Sequence, residues 1–147
     1  GIFNRLSLLF LNEEHPSEIA LSKELSEREL ENIRSRREGL FAFAGGSIKV
    51  MELGHCPFGK TCSACDRRSD YCMADESGRK FPLLRYENSA CRFEVYNSAN
   101  LVSELKGNRL YDFSVLSDAE KRAYLFDGEL KTAISERTAG ALKRGTQ

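Results

Sequence analysis

Cysteine is the residue type that most constrains what this chain can fold into. The sequence contains five cysteines, and four of them fall between Cys56 and Cys72. An odd, clustered set fits poorly with a fully paired extracellular disulfide framework and fits better with metal chemistry in a reducing compartment. The segment from Phe58 to Ser69 is polar and bears glycine, so we expect a loop with little core of its own. Such a loop needs a cross-link to hold its structure, and a bound metal would supply one.

The spacing of the thiols indicates one shared metal site. Three of them lie within ten residues, in the pattern Cys56-x5-Cys62-x2-Cys65. Two thiolates separated by two residues can bind one metal because the turn between them brings both sulfurs to the same side. Cys91 follows a predicted hairpin that could fold back over the other three. These four residues predict either a tetrahedral zinc site or the corners of an iron–sulfur cube, and spacing alone does not choose between them.

Three other cysteine and histidine residues have more ordinary interpretations. Cys72 lies in a predicted strand, where we expect its side chain to pack rather than to bind a metal. His55 precedes Cys56 and could bind the metal or donate to a ligand, but a simple hydrogen-bonded histidine is more common. His15, next to Pro16, is predicted to lie on the surface.

Composition limits the class of protein. The chain has 147 residues, 41% hydrophobic and 30% charged, which is the balance of one globular domain with a real core. Its 22 basic residues equal its 22 acidic residues, so no global charge draws it to nucleic acid or to an anionic membrane. No apolar run approaches the roughly 20 residues that span a bilayer, and the N-terminus lacks a signal pattern. We therefore expect a cytoplasmic protein with no membrane partner. Because Gly1 leads directly into a strand-like segment, we also expect a fragment of a longer protein.

The order of the predicted elements indicates an α/β fold. Strand-like and helical segments alternate over the first third of the chain, where Ser26 and Glu29 form a capping box at the start of a helix. This alternation is typical of a parallel sheet. The predicted strands are Ile2-Phe3, Glu18–Leu21, Leu40–Phe43, Ile48–Leu53, Tyr71–Met73, Phe81–Arg85, Phe93–Tyr96 and Leu110–Phe113, with Asn97-Ser98 and Ser117 as the caps of later helices.

Motifs spread over nearly the whole chain carry a family resemblance. They are Ile2-Phe3-Asn4, Leu21-Ser22-Lys23-Glu24-Leu25, Met51 to Pro57, Tyr71-x-Met73-x-Asp75 with Gly78 and Phe81-Pro82, Cys91-Arg92 with Tyr96-Asn97-Ser98, and Thr138-x-Gly140 with Arg144-Gly145. In this order and spacing they resemble the peptidase U32 family, the collagenase-like proteases. The last motif departs from that family, because Ala141 and Leu142 stand where it usually carries a histidine and an aromatic residue.

The resemblance implies the C-terminal part of a (β/α) barrel-like domain with an inserted cysteine-rich β-hairpin region. It implies one domain over residues 1–147, with β/α units at 1–53, the cysteine-rich metal region at 54–96 and a C-terminal β/α part at 97–147. It also implies a 4Fe–4S cluster on Cys56, Cys62, Cys65 and Cys91, with Cys72 at a variable position. Relatives with such clusters take part in hydroxylation of RNA bases or of a quinone precursor. The implied partners are the rest of the full-length chain and tRNA or rRNA, and the fragment alone is expected to be inactive.

Three functions stay open at this point. In a modification enzyme, Asn4, Ser22 and Asn97 would lie near strand ends, where barrels place their chemistry, although such residues more often cap helices. A peptidase would need residues outside this chain, because the two histidines of the chain stand far apart in sequence and form no recognisable catalytic motif.

The sequence also leaves open an association with a second copy of the chain, because exposed sheet edges would allow it.

The third function is a zinc-stapled, non-catalytic domain that binds RNA. Cations near the cysteines alternate with aromatic residues that could stack on bases. Nearby carboxylates dilute this charge, so a solvated face is the simpler interpretation. The cations are Arg67, Arg68, Arg79, Lys80, Arg85 and Arg92, and the aromatic residues are Phe81, Tyr86 and Phe93.

Overall fold

The computed structural model describes residues 4–58, 71–87, 91–126, 136–140 and 142–143. None of the helices described there is long and apolar enough to cross a membrane. The elements in chain order are α1 (Arg5–Asn12), β1 (Ile19–Ala20), α2 (Glu27–Arg34), β2 (Leu40–Gly46), β3 (Lys49–Leu53), β4 (Tyr71–Ala74), β5 (Lys80–Glu87), β6 (Arg92–Tyr96), β7 (Asn100–Val102), β8 (Arg109–Asp112), α3 (Asp118–Leu125) and β9 (Arg137–Thr138).

The chain divides into two compact units. Unit 1 takes its described residues from Gly1–Gly46, Leu101–Asp112 and Arg137–Gln147, and unit 2 takes them from Ser47–Asn100 and Phe113–Glu136.

Unit 1 holds α1 and α2 together with a mixed sheet. In this sheet β2 pairs with β1 and with β8 in parallel, while β7 runs antiparallel to β2 and also pairs with β9. Helix α2 begins as the sequence predicts, because the Ser26 hydroxyl accepts from the Glu29 amide at 3.4 Å and the Glu29 carboxylate accepts from the Ser26 amide at 2.8 Å. Its apolar face then buries Leu30 and Ile33 in the core of the unit.

Unit 2 is built on an antiparallel sheet in the order β3-β6-β5-β4. Leu83, Phe93 and Val95 form the centre of its core and are almost completely buried. Helix α3 begins at a second capping box, in which Ser117 and Glu120 exchange hydrogen bonds. The predicted hairpin from β4 to β5 is confirmed, as is the strand β6.

The predicted fold class, the C-terminal part of a (β/α) barrel-like domain, is wrong. Of the described residues 35% lie in strands and 21% in helices, and they form mixed or antiparallel sheets with no barrel-like arrangement. The predicted alternation ends at β2, where Gly45 and Gly46 continue the strand instead of breaking it. The helix predicted after Asn97-Ser98 is also wrong. Part of that segment forms β7, because Leu101 is buried and pairs, together with Val102, with β2.

A network of hydrogen bonds on Asp75 holds the turn between β4 and β5. Its Oδ1 accepts from the Ser77 hydroxyl at 2.6 Å and from the Arg79 amide at 2.9 Å, and its Oδ2 accepts from Arg79 Nε at 2.9 Å. The hydrogen bond from Ser77, together with those from Arg79, lowers the pKa of Asp75 from 3.8 to about 2. The turn is therefore held by a charged carboxylate at neutral pH.

The Asp75→Asn variant should lose this contribution in a pH-dependent way. Because the pKa of Asp75 is lower in the folded protein than in the unfolded chain, its stabilisation is fully present above pH 3.8 and disappears as the pH falls through about 2. The difference in unfolding free energy between wild type and variant should therefore be constant above that range and shrink below it. Urea unfolding followed by circular dichroism at several pH values measures this difference. A difference that does not change with pH would contradict the role of the carboxylate.

Candidate metal centre

The ladder between β3 and β6 brings two of the predicted ligands to the same end of the sheet of unit 2. Leu53, the last residue of β3, pairs with Phe93 near the start of β6. Cys56 follows β3 by three residues and Cys91 directly precedes β6. The antiparallel register therefore places two thiols that are far apart in sequence beside one pair of strand ends.

Both thiols pack against the same apolar cluster. Cys56 and Cys91 are half-buried against the core formed by Leu83, Phe93 and Val95. Cys91 has a φ of 47°, in the left-handed region that residues other than glycine rarely adopt. Strained backbone of this kind persists where the surrounding structure enforces it, and it clusters at functional sites.

Aromatic rings form one wall of this cluster. The Phe58 ring centroid lies 4.7 Å from that of Tyr71 and 5.7 Å from that of Phe93, and the Tyr71 and Phe93 centroids are 6.0 Å apart. Leu53, Met73 and Phe81 pack around the same core. The two thiols thus have an apolar environment on the side that faces the sheet.

The other two predicted ligands, Cys62 and Cys65, lie outside the described residues. The three cysteines that the structure does describe are free thiols. Within that part of the chain, no group of three or more histidine, cysteine, aspartate or glutamate residues could hold a metal ion. The described half of the predicted site therefore consists of Cys56 and Cys91.

Cys72 is separated from this pair by the alternation of β4. Its neighbours Tyr71 and Met73 face the apolar cluster, whereas the Cys72 side chain is exposed. The prediction that Cys72 packs into the interior is therefore wrong. Its exposure on the opposite face of the strand still separates it from Cys56 and Cys91.

The predicted polar residues near strand ends have local structural roles. Asn4 caps α1, with its Oδ1 accepting from the Ser7 amide at 3.0 Å. The Ser22 hydroxyl accepts from the Glu24 amide at 3.2 Å. The backbone amide of Asn97 donates to the backbone carbonyl of Ile48 at 2.8 Å. His15 is exposed, as predicted, and His55 is also exposed.

The structure removes most of the stacking surface that the RNA-binding alternative needs. Phe93 is buried in the core and Phe81 packs against it, so only Tyr86 of the three aromatic residues is exposed. Arg79 is bound to the Asp75 carboxylate. Arg67 and Arg68 lie outside the described residues.

An ion pair at the carboxyl ends of the parallel strands is a feature that the sequence analysis missed. Lys23 follows β1 and binds the Asp112 carboxylate at the end of β8, and its Nζ lies 4.6 Å from the centre of the Phe43 ring. Both charged side chains are mostly buried, with 24% and 18% of their surface exposed. The two residues are 89 positions apart, so no local pattern could have paired them. Lys23 and Asp112 form a polar cluster in unit 1. They lie at the carboxyl ends of parallel strands, where ligands of open α/β sheets commonly bind.

Comparisons with protein-family models, with curated proteins and with solved structures found no match to this chain.

Proposed function

We propose that this chain is part of a peptidase U32-like protein and holds a 4Fe–4S cluster on Cys56, Cys62, Cys65 and Cys91. In this proposal the cluster supports hydroxylation of RNA bases or of a quinone precursor, and the rest of a longer chain completes the enzyme. The free thiols also favour a reducing compartment such as the cytoplasm.

The observation that carries the proposal is that Cys56 and Cys91 both pack against one apolar cluster. A sheet register that joins the end of β3 to the start of β6 brings together two thiols from distant parts of the sequence. Their residue type fits an iron–sulfur centre, which proteins bind through cysteine thiolates. The exposure of Cys72 on the other face of β4 agrees with its exclusion from the ligand set.

The chemistry that a bound cluster supplies is one-electron transfer at a potential set by its surroundings. The residues of this chain would contribute binding through the thiolates and exclusion of water through Phe58, Tyr71 and Phe93. Burial of the sulfurs and their hydrogen bonding are the features by which a protein tunes such a potential.

Two alternatives to this proposal are a zinc site and a peptidase. Zinc binds the same four thiolates in a tetrahedral site, and the domain would then be stapled but not redox-active. A peptidase has less support, because the described histidines, His15 and His55, are both exposed and stand far apart in sequence.

Purification without oxygen provides the test. We expect a brown protein whose visible absorption bleaches on reduction, with about four iron and four sulfide per chain. Metal and acid-labile sulfide are measured together on the same sample. Stoichiometric zinc without sulfide would replace the cluster with the zinc alternative, and absence of any metal would contradict both.

A further inference from the structure

A cavity of about 310 Å³ lies within unit 1, beside the first turn of α2. Its walls come from three separate parts of the sequence, and together they define the α2 cavity. They are Glu27 at the start of α2, residues 102–105 at the end of β7 and beyond it, and Ala139, Leu142 and Lys143 near the C-terminus. The backbone amide of Glu27 donates to the Leu142 carbonyl at 2.9 Å, so two of these walls are joined directly. The volume is at the lower end of the range that small-ligand pockets have.

Apolar side chains form half of the lining. Leu105 and Leu142 are almost completely buried, with 7% of their surface exposed, and Val102 and Ala139 are half-buried. Pockets for small ligands are mostly apolar and use a few polar groups to orient what they bind. A hydrocarbon chain in this cavity would therefore be removed from water by contact with these four residues.

Two carboxylates at the α2 cavity are unpaired. In the part of the chain that the structure describes, neither Glu27 nor Glu104 has a side-chain hydrogen bond or an ion pair. Other polar groups of the lining are engaged, because the Ser103 hydroxyl accepts from the Leu105 amide at 3.4 Å and Lys143 has an interaction partner of its own. Two unpaired negative charges beside apolar walls favour a ligand with a positive charge on a hydrocarbon chain.

We propose that the α2 cavity binds an aliphatic ammonium ion, the protonated form of a primary amine with a short alkyl chain. The ammonium donates to the carboxylates of Glu27 and Glu104, and the alkyl chain lies against Leu105 and Leu142. A divalent metal ion fits less well, because calcium takes about six to eight oxygen ligands. The described residues contain no group of three or more histidine, cysteine, aspartate or glutamate side chains that could hold a metal ion.

The first test is a titration of the isotope-labelled chain with pentylammonium chloride, followed in its proton–nitrogen NMR spectrum. We expect the signals that shift to be those of the backbone amides of the lining, Glu27, Ser103, Leu105 and Leu142. Pentan-1-ol keeps the chain without the charge, and ammonium chloride keeps the charge without the chain. Each should bind about fivefold or more weakly than pentylammonium. Binding of either as strong as that of pentylammonium, or shifts spread over exposed carboxylates throughout the protein, would overturn the proposal.

The second test removes the two charges. The cavity variant combines Glu27→Gln with Glu104→Gln, and the control combines Glu24→Gln with Glu31→Gln. The control residues are exposed glutamates of the same unit that do not line the cavity and have no described side-chain partner. We expect pentylammonium to bind the cavity variant about fivefold more weakly and the control within about twofold of wild type. Equal weakening of both variants would overturn the proposal, since it would show an effect of net charge alone.

A blocked lysine separates the two sources of an aliphatic ammonium ion. Nα-acetyl-lysine N-methylamide presents the ammonium as a protein side chain does, whereas pentylammonium presents it as a free amine. Stronger binding of the blocked lysine would support an ammonium site for a basic side chain, and stronger binding of pentylammonium would support one for a free amine. Absence of binding by both would overturn the proposal.

Folding and metal content are measured on the same variants. Circular dichroism checks that each is folded, and Glu104→Gln alone, at an exposed position between β7 and β8, tests the charge if the double variant is not. Unchanged binding in this single variant and in the double variant would overturn the proposal. Iron and sulfide content should be the same in all variants, because the substituted residues belong to unit 1 and Cys56 and Cys91 belong to unit 2. The amine titration therefore gives its result whether or not the chain holds a cluster.

Discussion

The Gly46→Ala variant is expected to lose about 3 kcal/mol or more of unfolding free energy in unit 1. Gly46 ends β2 with a φ of 98°, which an alanine adopts only with strain. A Cβ at this position would also overlap the carbonyl oxygen of Asp112 and come within 2.9 Å of the Asp112 amide nitrogen. The obstacle is backbone of the paired strand β8, so relief would require β2 and β8 to move apart. Urea unfolding followed by circular dichroism measures the loss.

Gly78→Ala is the matched control for this experiment. Gly78 also has a positive φ, of 81°, but nothing lies within 4 Å of the position that a Cβ would take. This variant should therefore cost only the backbone strain, about 1 kcal/mol. Equal losses for the two variants would show that the close approach of β2 and β8 does not limit position 46.

The Cys91→Ser variant is expected to lose most of its iron and sulfide, while Cys72→Ser keeps both. Cys91 is half-buried and, like Cys56, packs against the apolar cluster, and removing one of four thiolates leaves an incomplete site for an iron–sulfur cluster. Cys72 is exposed on the other face of β4, so its replacement changes only the surface. Iron, sulfide and visible absorption are measured on both proteins purified without oxygen.

Two further measurements exclude trivial explanations for that result. Circular dichroism of both variants without metal tests whether Cys91→Ser unfolds unit 2, since this side chain also packs against the core. Alkylation of the wild-type protein with its cluster intact should modify Cys72 fast and the four proposed ligands slowly, because ligated thiolates are not free to react. Retention of iron by Cys91→Ser, or its loss in Cys72→Ser, would remove Cys91 from the ligand set.

Local signals in the sequence predicted the local structure well. Both capping boxes start helices where Ser26 and Ser117 indicate, since each box is a contact between residues three positions apart. The hairpin around Gly78 is also correct, because its turn depends on residues close in sequence. Such contacts need no knowledge of the rest of the chain.

The errors come from contacts between distant residues. Asn97-Ser98 predicts the start of a helix, yet Leu101 pairs with Gly46 of β2 and lies in the strand β7. Taken alone, Gly46 predicts the end of a strand. In the structure its missing side chain allows β2 to lie against the backbone of Asp112. The pair Lys23 and Asp112 likewise depends on which strands become neighbours, which no local pattern records.

The predictions for the candidate metal centre differ in the same way between local patterns and contacts with distant residues. Clustering and spacing predict the four ligands, and of these the structure describes Cys56 and Cys91, which pack against the same apolar cluster. The exposure of Cys72 was not predicted, because a short apolar strand does not reveal which of its faces meets the core. That face is determined by the register of β4 with β5, in which Tyr71 pairs with the buried Leu83.

The junction of β3 with β6 has a consequence for how the sheet of unit 2 forms. A slip of one residue between two strands turns every side chain to the opposite face. Because Cys56 lies three residues after one strand of this ladder and Cys91 directly before the other, such a slip would also displace the two thiols relative to each other. A metal that bridges them would therefore bind only the native register and, by mass action, would remove misaligned strand pairings from the population.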